Sequence, residues 1–156
     1  ENVVSNWNWI EALIASVPIA ILVMLIVWIN QFQDAPSDAA VGKNTWVVRT
    51  AEKGEWMKLE KPLRLYKQFM IEAFVAVALV GALSFFTDFG TVYAFMALIP
   101  IALVWKAFKM ADEWMIKWNN PNADRQKVPY ELLLVNVSTI GIHFLTGILL
   151  AVAYIL

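Results

Sequence analysis

The chain has 156 residues, of which 60% are hydrophobic and only 16% are charged, whereas a soluble domain usually carries nearer a quarter of charged residues. Twelve basic residues against thirteen acidic ones leave almost no net charge, so nothing favours a nucleic-acid partner and we expect none. The lack of Cys excludes disulfides and thiolate metal sites, and a single His is too little for an ordinary zinc site.

Four apolar segments are each long enough to cross a bilayer as a helix, which takes roughly 20 residues. Their predicted bounds are about 10–29, 69–86, 92–108 and 132–155. None shows the alternation of a barrel strand, and a helix satisfies its own backbone hydrogen bonds in lipid. The sequence therefore predicts an all-α fold, a polytopic membrane bundle of four transmembrane helices that forms a single domain over residues 1–156.

The basic residues predict how this bundle is oriented. All twelve lie between spans one and two, or between the end of span three and the start of span four. Four crossings put both groups on one side, which the positive-inside rule makes cytoplasmic. We therefore expect an integral protein of the cell (inner) membrane with cytoplasmic loops at about 30–68 and 109–131, and both termini outside. No signal peptide is predicted, and a start at Glu1 fits a processed protein or a piece of a longer one.

Three polar residues follow the first span at intervals of four: Asn30, Asp34 and Asp38. On a helix they share one face, with neighbouring Cβ atoms roughly 5–6 Å apart. Pro36 either lies inside one helix, where it removes a hydrogen bond, or stands in the first turn of a new helix. Two carboxylates this close repel each other, so a cation near them is the natural relief. Two hard oxygen ligands suit Mg²⁺, which completes its shell with water and substrate phosphates.

The next residues add positive charge to the same segment. Lys43 and Arg49 can bind phosphate oxygens, and Gly42 would let the backbone approach a ligand closely. The combination predicts a diphosphate site, with metal on Asp34 and Asp38 on one side and Lys43 and Arg49 on the other. The alternative is a solvated loop with scattered ion pairs, since charges routinely crowd at the ends of membrane helices.

The motif itself resembles a known family. The pattern N-x-x-x-D-x-x-x-D followed by x-x-x-G-K-x-T-x-x-V-R, here Asn30 to Arg49, is similar to the second aspartate-rich motif of the UbiA superfamily of intramembrane prenyltransferases. The branch it most resembles is the menaquinone type, which prenylates dihydroxynaphthoate. The Leu65-Tyr66 pair and the run of Asn136, Thr139, His143 and Gly147 also look like the family's C-terminal half.

The resemblance implies the C-terminal half of a nine-helix bundle. Its reaction would move an isoprenyl group from a prenyl diphosphate to an aromatic acceptor in quinone or lipid biosynthesis, with Mg²⁺ as cofactor. Asp34 and Asp38 would be catalytic and hold the metal, while Asn30, Lys43 and Arg49 would bind the diphosphate. The chain departs from the family in lacking the first aspartate motif, so it implies a missing N-terminal half or a partner membrane subunit. Pro36 and Trp46 stand where relatives usually have Glu and Leu.

Two other functions remain open from the sequence. A non-catalytic UbiA-like subunit of a larger membrane complex would share the ancestry without the first motif. A transporter half could use Asp34 or Asp38 to bind a cation, although such proteins usually carry charges deeper in their spans. Glu72, near the start of the second predicted span, either extends to the membrane interface or faces a central cavity.

Overall fold

The computed structural model describes residues 8–53 and 57–156, and within them the chain is all-α, as predicted. The α-helices are α1 (Asn8–Ala40), α2 (Trp46–Thr50), α3 (Glu60–Leu83), α4 (Ile101–Trp118) and α5 (Leu133–Ala153). A 3-10 helix, Val92–Leu98, precedes α4, and a second one, Val128–Leu132, leads into α5.

Four helical stretches of the described chain are long and apolar enough to cross a membrane, which confirms the predicted number. They are Trp9–Ala40, Glu60–Leu83, Val92–Trp118 and Val128–Ala153. Three of them extend well past the predicted apolar runs on the basic side, because polar residues next to a span can continue its helix. Much of each predicted loop, 30–68 and 109–131, is therefore helical.

Helix α1 is a single helix of 33 residues that contains both Pro18 and Pro36. It ends at a Schellman motif, in which the amides of Gly42 and Lys43 donate to the carbonyls of Ala39 and Asp38 over 3.1 and 2.8 Å. Gly42 has φ 73°, a left-handed conformation that residues with a Cβ rarely adopt. The end of α1 is thus fixed just beyond the two aspartates.

The four spans form a ring. Helix α1 packs against α3 on one side and α5 on the other, and the third span closes the ring between α3 and α5. Phe32 of α1, Tyr66 and Met70 of α3, and Ile142 of α5 are fully buried between them. Large apolar side chains packed in this way bring the helices together in a membrane, where van der Waals contact rather than hydrophobicity drives association.

Hydrogen bonds between side chains also cross the ring. The hydroxyls of Tyr66 and Thr139 lie 2.7 Å apart, and Thr139 donates its only hydroxyl proton to the carbonyl of Val135 at 2.8 Å. Tyr66 is therefore the donor to Thr139. On α1, the indole of Trp28 donates to the carbonyl of Pro62 over 3.2 Å. These bonds set the register of α1 and α5 against α3.

A hydrogen bond between α1 and the turn after α3 helps to fix the end of the bundle opposite to the basic loops. The amide of Gly90, in the turn after α3, donates to a carboxylate oxygen of Glu11 on α1 over 2.8 Å. Gly90 has φ 82°, and a Cβ at this position would lie 2.4 Å from the carbonyl oxygen of Val80. Only glycine fits, so the turn holds its shape and keeps its amide directed at Glu11.

The outward faces of the helices differ in chemistry. The outward residues of α5 are apolar through the whole span: Leu134, Val137, Ile140, Phe144, Ile148 and Val152. The outward face of α1 is apolar at Val23 and Val27 and continues into Asn30 and Asp34. That of α3 includes Gln68 and Glu72, whose side chains share a hydrogen bond of 2.8 Å. One side of the ring is therefore suited to lipid and the neighbouring side carries polar groups.

Candidate functional site

The two predicted metal ligands lie one turn apart on the continuous helix α1, but their surroundings differ. Asp34 is exposed on the outward face of the ring, whereas Asp38 is buried, with 8% of its surface accessible. Because the helix runs through Pro36 without a break, the two side chains project from one side of it. The shared face predicted from the spacing is therefore present.

Lys43 is held against Asp38 twice. Its backbone amide closes the Schellman motif on the carbonyl of Asp38, and its ammonium group contacts a carboxylate oxygen of the same residue at 2.9 Å. Gly42 therefore ends the helix and positions Lys43. A Cβ added to Gly42 would have no neighbouring atom within 4 Å, so the space beside this residue is open. The ammonium group of Lys43 therefore supplies, at Asp38, the positive charge that two neighbouring carboxylates need close to them.

Asn30, predicted to bind diphosphate, is part of a contact between helices. Its side-chain oxygen accepts a hydrogen bond of 2.7 Å from the amide of Asn136 on α5. The other atom of that amide, the Asn136 oxygen, is buried without a partner among the described residues. Asn30 therefore joins α1 to α5 beside Asp34, while part of it remains exposed on the outward face.

Arg49 lies on the short helix α2, which packs against the end of α1. The hydroxyl of Thr45 caps α2 by accepting from the amide of Val48 at 3.4 Å. The amide of Val47 donates to Gln31 of α1 over 3.2 Å, and Val47 and Val48 are both buried. With these two valines inward, Arg49 is left exposed on the opposite side of the helix.

A cavity of about 800 Å³ opens between the end of α1, α2 and the loop after α4. Among the described residues, four basic ones line it, Lys43, Arg49, Lys53 and Arg125, together with one acid, Glu52. The rest of its wall is mostly apolar and includes Pro36, Ala39, Val48, Met57 and Trp118. Lys43 and Arg49 line one cavity, whereas Asp34 and Asp38 lie beside it and not inside it.

Arg125 is the most firmly placed of the four basic residues. Its guanidinium group lies over the ring of Trp118, 4.7 Å from the ring centre, and donates to the carbonyls of Trp118 and Asn120. Trp118 is itself fixed, because its indole donates to the carbonyl of Met57 at 2.9 Å. The charge of Arg125 is therefore presented at the cavity by a rigid aromatic wall.

The neighbouring loop residues support that placement. Asp124 accepts a hydrogen bond of 3.0 Å from the amide of Gln126 and lies 3.4 Å from Lys127. The Gln126 amide, with Lys127 second, holds the pKa of Asp124 below its usual value. Asp124 is therefore ionised at neutral pH and keeps the turn around Arg125 in shape.

Sequence reasoning missed Lys53 and Arg125 as site residues. They stand more than 70 positions apart and belong to no common motif. The one available signal was that both belong to the two basic loops predicted on the same side of the membrane. That signal gives a common side but no contact between the loops.

The donor set fits Mg²⁺ in kind but is small. Two carboxylates one turn apart match the ligands that Mg²⁺ takes when waters and phosphates complete its shell. Asp34 is accessible, while one oxygen of Asp38 is already held by Lys43. No group of three or more His, Cys, Asp or Glu residues that could enclose a metal occurs in residues 8–53 and 57–156. Any metal here would need further ligands from a substrate or from another chain.

No family model, curated protein or solved structure matches the chain in the comparisons made with it. The resemblance to the prenyltransferases therefore rests on the sequence motif.

Proposed function

We propose that the chain is the C-terminal half of a UbiA-like prenyltransferase, which transfers an isoprenyl group from a prenyl diphosphate to an aromatic acceptor. The observation that carries the proposal is the convergence of charges at one end of the bundle. An accessible carboxylate, Asp34, a buried one, Asp38, and the cations Lys43 and Arg49 lie around the end of α1, beside a cavity large enough for a ligand.

The residues have distinct roles in this proposal. Lys43 and Arg49 bind oxygens of the diphosphate and stabilise its charge as the bond to the allylic carbon breaks. Asp34 and Asp38 would hold Mg²⁺, which when bound adds positive charge beside the leaving group. Asn30, whose side-chain oxygen accepts a hydrogen bond from Asn136, holds this end of α1 against α5. The ring of the acceptor forms the new bond to the allylic carbon and then releases a proton.

The polar face of α1 and α3 supports a missing half. Glu72 lies near the middle of α3, about 18 Å from its first residue and about 16 Å from its last at 1.5 Å per residue. Its side chain faces outward, and at the centre of a bilayer a lipid-facing acid costs about 2.5–3.5 kcal/mol. We propose that Glu72 faces other protein or water, and that the N-terminal half or a partner membrane subunit covers this face.

The basic loops set the orientation in the proposal, with the site on the cytoplasmic side of the cell membrane, where a water-soluble diphosphate head arrives. A Cys introduced at Asn122, beside the cavity, should react with a membrane-impermeant thiol reagent only after the cell is opened. A Cys at Asp88, in the turn at the other end, should react in intact cells once any outer membrane is made permeable. The reverse pattern would place the cavity on the wrong side for its substrate.

The test of catalysis is transfer from geranyl diphosphate to dihydroxynaphthoate by the protein in its native membrane. Asp34→Ala should lower turnover by more than about 100-fold, as expected for removing one preorganised stabilising group. Asp38→Ala should have a similar effect, and an excess of EDTA should abolish turnover. Glu113→Ala, which removes an exposed carboxylate from α4, is the control and should leave turnover unchanged. Full activity of Asp34→Ala or in EDTA would refute the proposal.

A second candidate, a non-catalytic subunit of the same ancestry, is favoured by one observation. Asp38 is buried in an ion pair with Lys43, so one of the two carboxylates is already neutralised without a metal. In that case the charges at the end of α1 stabilise the helix terminus, and none of the described residues handles substrate. Assembly of the larger complex would then survive Asp34→Ala, with no transfer activity in the parent protein.

A further inference from the structure

We propose that the outward surface shared by α1 and α3 binds a transmembrane helix of another polypeptide segment, and that this helix is apolar except for one Lys or Arg that pairs with Glu72. The inference rests on the proposed function for the existence of a covering segment, and it adds the chemistry of that segment. The α1–α3 surface, as the term is used below, consists of the exposed residues Val23, Val27, Ile71, Glu72 and Val75.

Glu72 lacks a counter-charge and not a hydrogen bond. The side-chain amide of Gln68 already donates to its carboxylate over 2.8 Å. Lys67, the nearest basic residue before it on α3, contacts Asp112 of α4 at 2.5 Å instead. The next one, Arg64, is eight residues away, which is about 12 Å along the helix axis. Glu72 takes part in no ion pair within residues 8–53 and 57–156, so its charge is not compensated there.

The neighbouring helix does not supply the missing charge. Helix α1 packs against α3 but contains no Lys or Arg along its 33 residues. Next to Glu72 the α1–α3 surface is aliphatic, with Val23 and Val27 on α1 and Ile71 and Val75 on α3. Water molecules need two to four polar partners, which this surface does not offer. The surface therefore favours contact with an apolar helix over contact with a water-filled cavity.

The single acid on this surface determines what the covering helix must carry. A carboxylate enclosed between helices without an opposite charge is strongly unfavourable, and ionisable groups in membrane spans pair with one another. A neutral donor is already present in Gln68, so a second one would leave the charge as it is. A Lys or Arg supplies the positive charge, and its aliphatic stem can lie along Val75 and Ile71.

The rest of the outward face of α1 suits close helix packing. Ser16 and Ala20 are exposed and precede Val23 and Val27 at intervals of four and three residues, so that the four share one face. Small residues allow the backbones of membrane helices to approach closely. The hydroxyl of Ser16 donates to the carbonyl of Leu13 at 2.7 Å, so it requires no polar partner from the covering helix. A basic residue is therefore needed at the level of Glu72.

The first test uses the complete protein in its native membrane and dicyclohexylcarbodiimide, which adds to carboxyl groups that are uncharged and reachable from the bilayer. The adduct on Glu72 is measured by mass spectrometry. Its control is the variant Ile140→Glu, which places an acid on the lipid-suited face of α5. Glu72 should react at least about tenfold more slowly than the acid introduced on α5, because a paired and covered carboxylate is protected. Equal rates would overturn the inference.

The second test changes the charge. Glu72→Gln keeps the size of the side chain but leaves the partner's cation without an acid, and Glu72→Lys places two cations together. The thermal unfolding midpoint in native membranes should fall by on the order of 10 °C for Glu72→Gln and further for Glu72→Lys. Glu113→Gln, at an exposed position of α4, is the control and should cause no shift.

Two results of this series would contradict the inference. A midpoint of Glu72→Gln equal to that of the parent protein would show that no cation faces the carboxyl group. Equal midpoints of Glu72→Lys and Glu72→Gln would show that the side chain faces water. The carbodiimide test needs no variant at Glu72, so it decides the question if these variants do not fold.

A second copy of the chain is the alternative source of the cation. Lys106 and Lys109 are exposed on α4 and form no ion pair with the described residues. Lys106→Gln/Lys109→Gln should leave the midpoint unchanged if the cation belongs to a different segment. If this variant lowered the midpoint as much as Glu72→Gln, and adding Glu72→Gln to it lowered the midpoint no further, the occupant would be a second copy and the inference would be wrong.

The outcome also separates this inference from the proposed function. Protection of Glu72 in a parent protein without transfer activity would refute the enzyme and leave the docked helix. Transfer activity in a protein whose Glu72 reacts as fast as the acid introduced on α5 would refute the docked helix and leave the enzyme.

Discussion

The outward face of α5 and that of α3 lie on the same ring, yet they carry different chemistry at corresponding positions. Ile140 on α5 and Glu72 on α3 each lie twelve residues after the start of their membrane-spanning stretch. The first is one of a series of aliphatic and aromatic side chains, while the second is a carboxylate bonded to Gln68. Lipid accepts the first surface and penalises the second. An uneven ring of this kind is expected of a unit that has lipid on one side only.

The largest expected effect comes from placing an acidic side chain at the apolar position and an apolar side chain at the acidic one. Ile140→Asp should cost about 3 kcal/mol, the penalty for an acid at the centre of a lipid-facing helix. Under the proposal that protein or water covers this face of α3, Glu72→Leu should give no matching gain. The measurement is the inserted fraction of each variant in the membrane, together with its thermal unfolding midpoint. If Glu72→Leu stabilised the protein by a similar amount, the polar face would be in contact with lipid.

Access of lipid to the two faces provides a second test. The chain has no Cys, so a single introduced thiol reports without background. Val75→Cys on α3 and Phe144→Cys on α5 are both outward and apolar in the parent chain. In native membranes a bilayer-soluble maleimide should modify the α5 position at least about tenfold faster, since the proposed partner would cover the α3 position. Equal rates in the native membrane would show that lipid reaches both faces.

The smallest expected effect concerns the polar groups inside the ring. Tyr66→Phe removes the hydroxyl that donates to Thr139, and bonds between membrane helices contribute about 0.6 kcal/mol on average and up to about 1.7 kcal/mol. We expect a loss within that range in the free energy of unfolding, measured in detergent. Thr139→Val should give a similar loss, and the double variant should lose less than the sum because both changes remove one bond. Full additivity would mean that the two hydroxyls do not interact.

Helix class and number followed from the sequence because both depend on local hydrophobicity. The bounds did not, since polar residues such as Gln31 and Arg64 continue a helix that a hydrophobic window ends. Because α3 begins earlier than the predicted span, Glu72 lies near the middle of the helix and not near its start. The spacing of Asp34 and Asp38 correctly gave a shared side of α1. It could not give their different burial, which depends on how the chain folds back after Gly42 and brings Lys43 onto Asp38.

The cavity shows the other limit of sequence reasoning. Lys43 and Arg49 were found because they belong to one short motif. Arg125 reaches the same cavity only through the stacking of its guanidinium group on Trp118, a contact made by the turn after α4. Tertiary contacts of this kind leave no periodicity or spacing in the chain.

The length of α1 has a mechanical consequence. Its 33 residues extend about 50 Å, whereas the hydrocarbon core is about 30 Å thick, so the helix is longer than the core that it crosses. The hydrogen bond of Glu11 with Gly90 holds one end of α1, and Asp34 and Asp38 lie near its other end. Tilting a helix of this length by 10° about its middle moves its end by about 4 Å. Because a spanning helix answers a change of bilayer thickness partly by tilting, such a change would move the aspartates, together with the part of the cavity wall formed by Pro36 and Ala39, relative to Arg125.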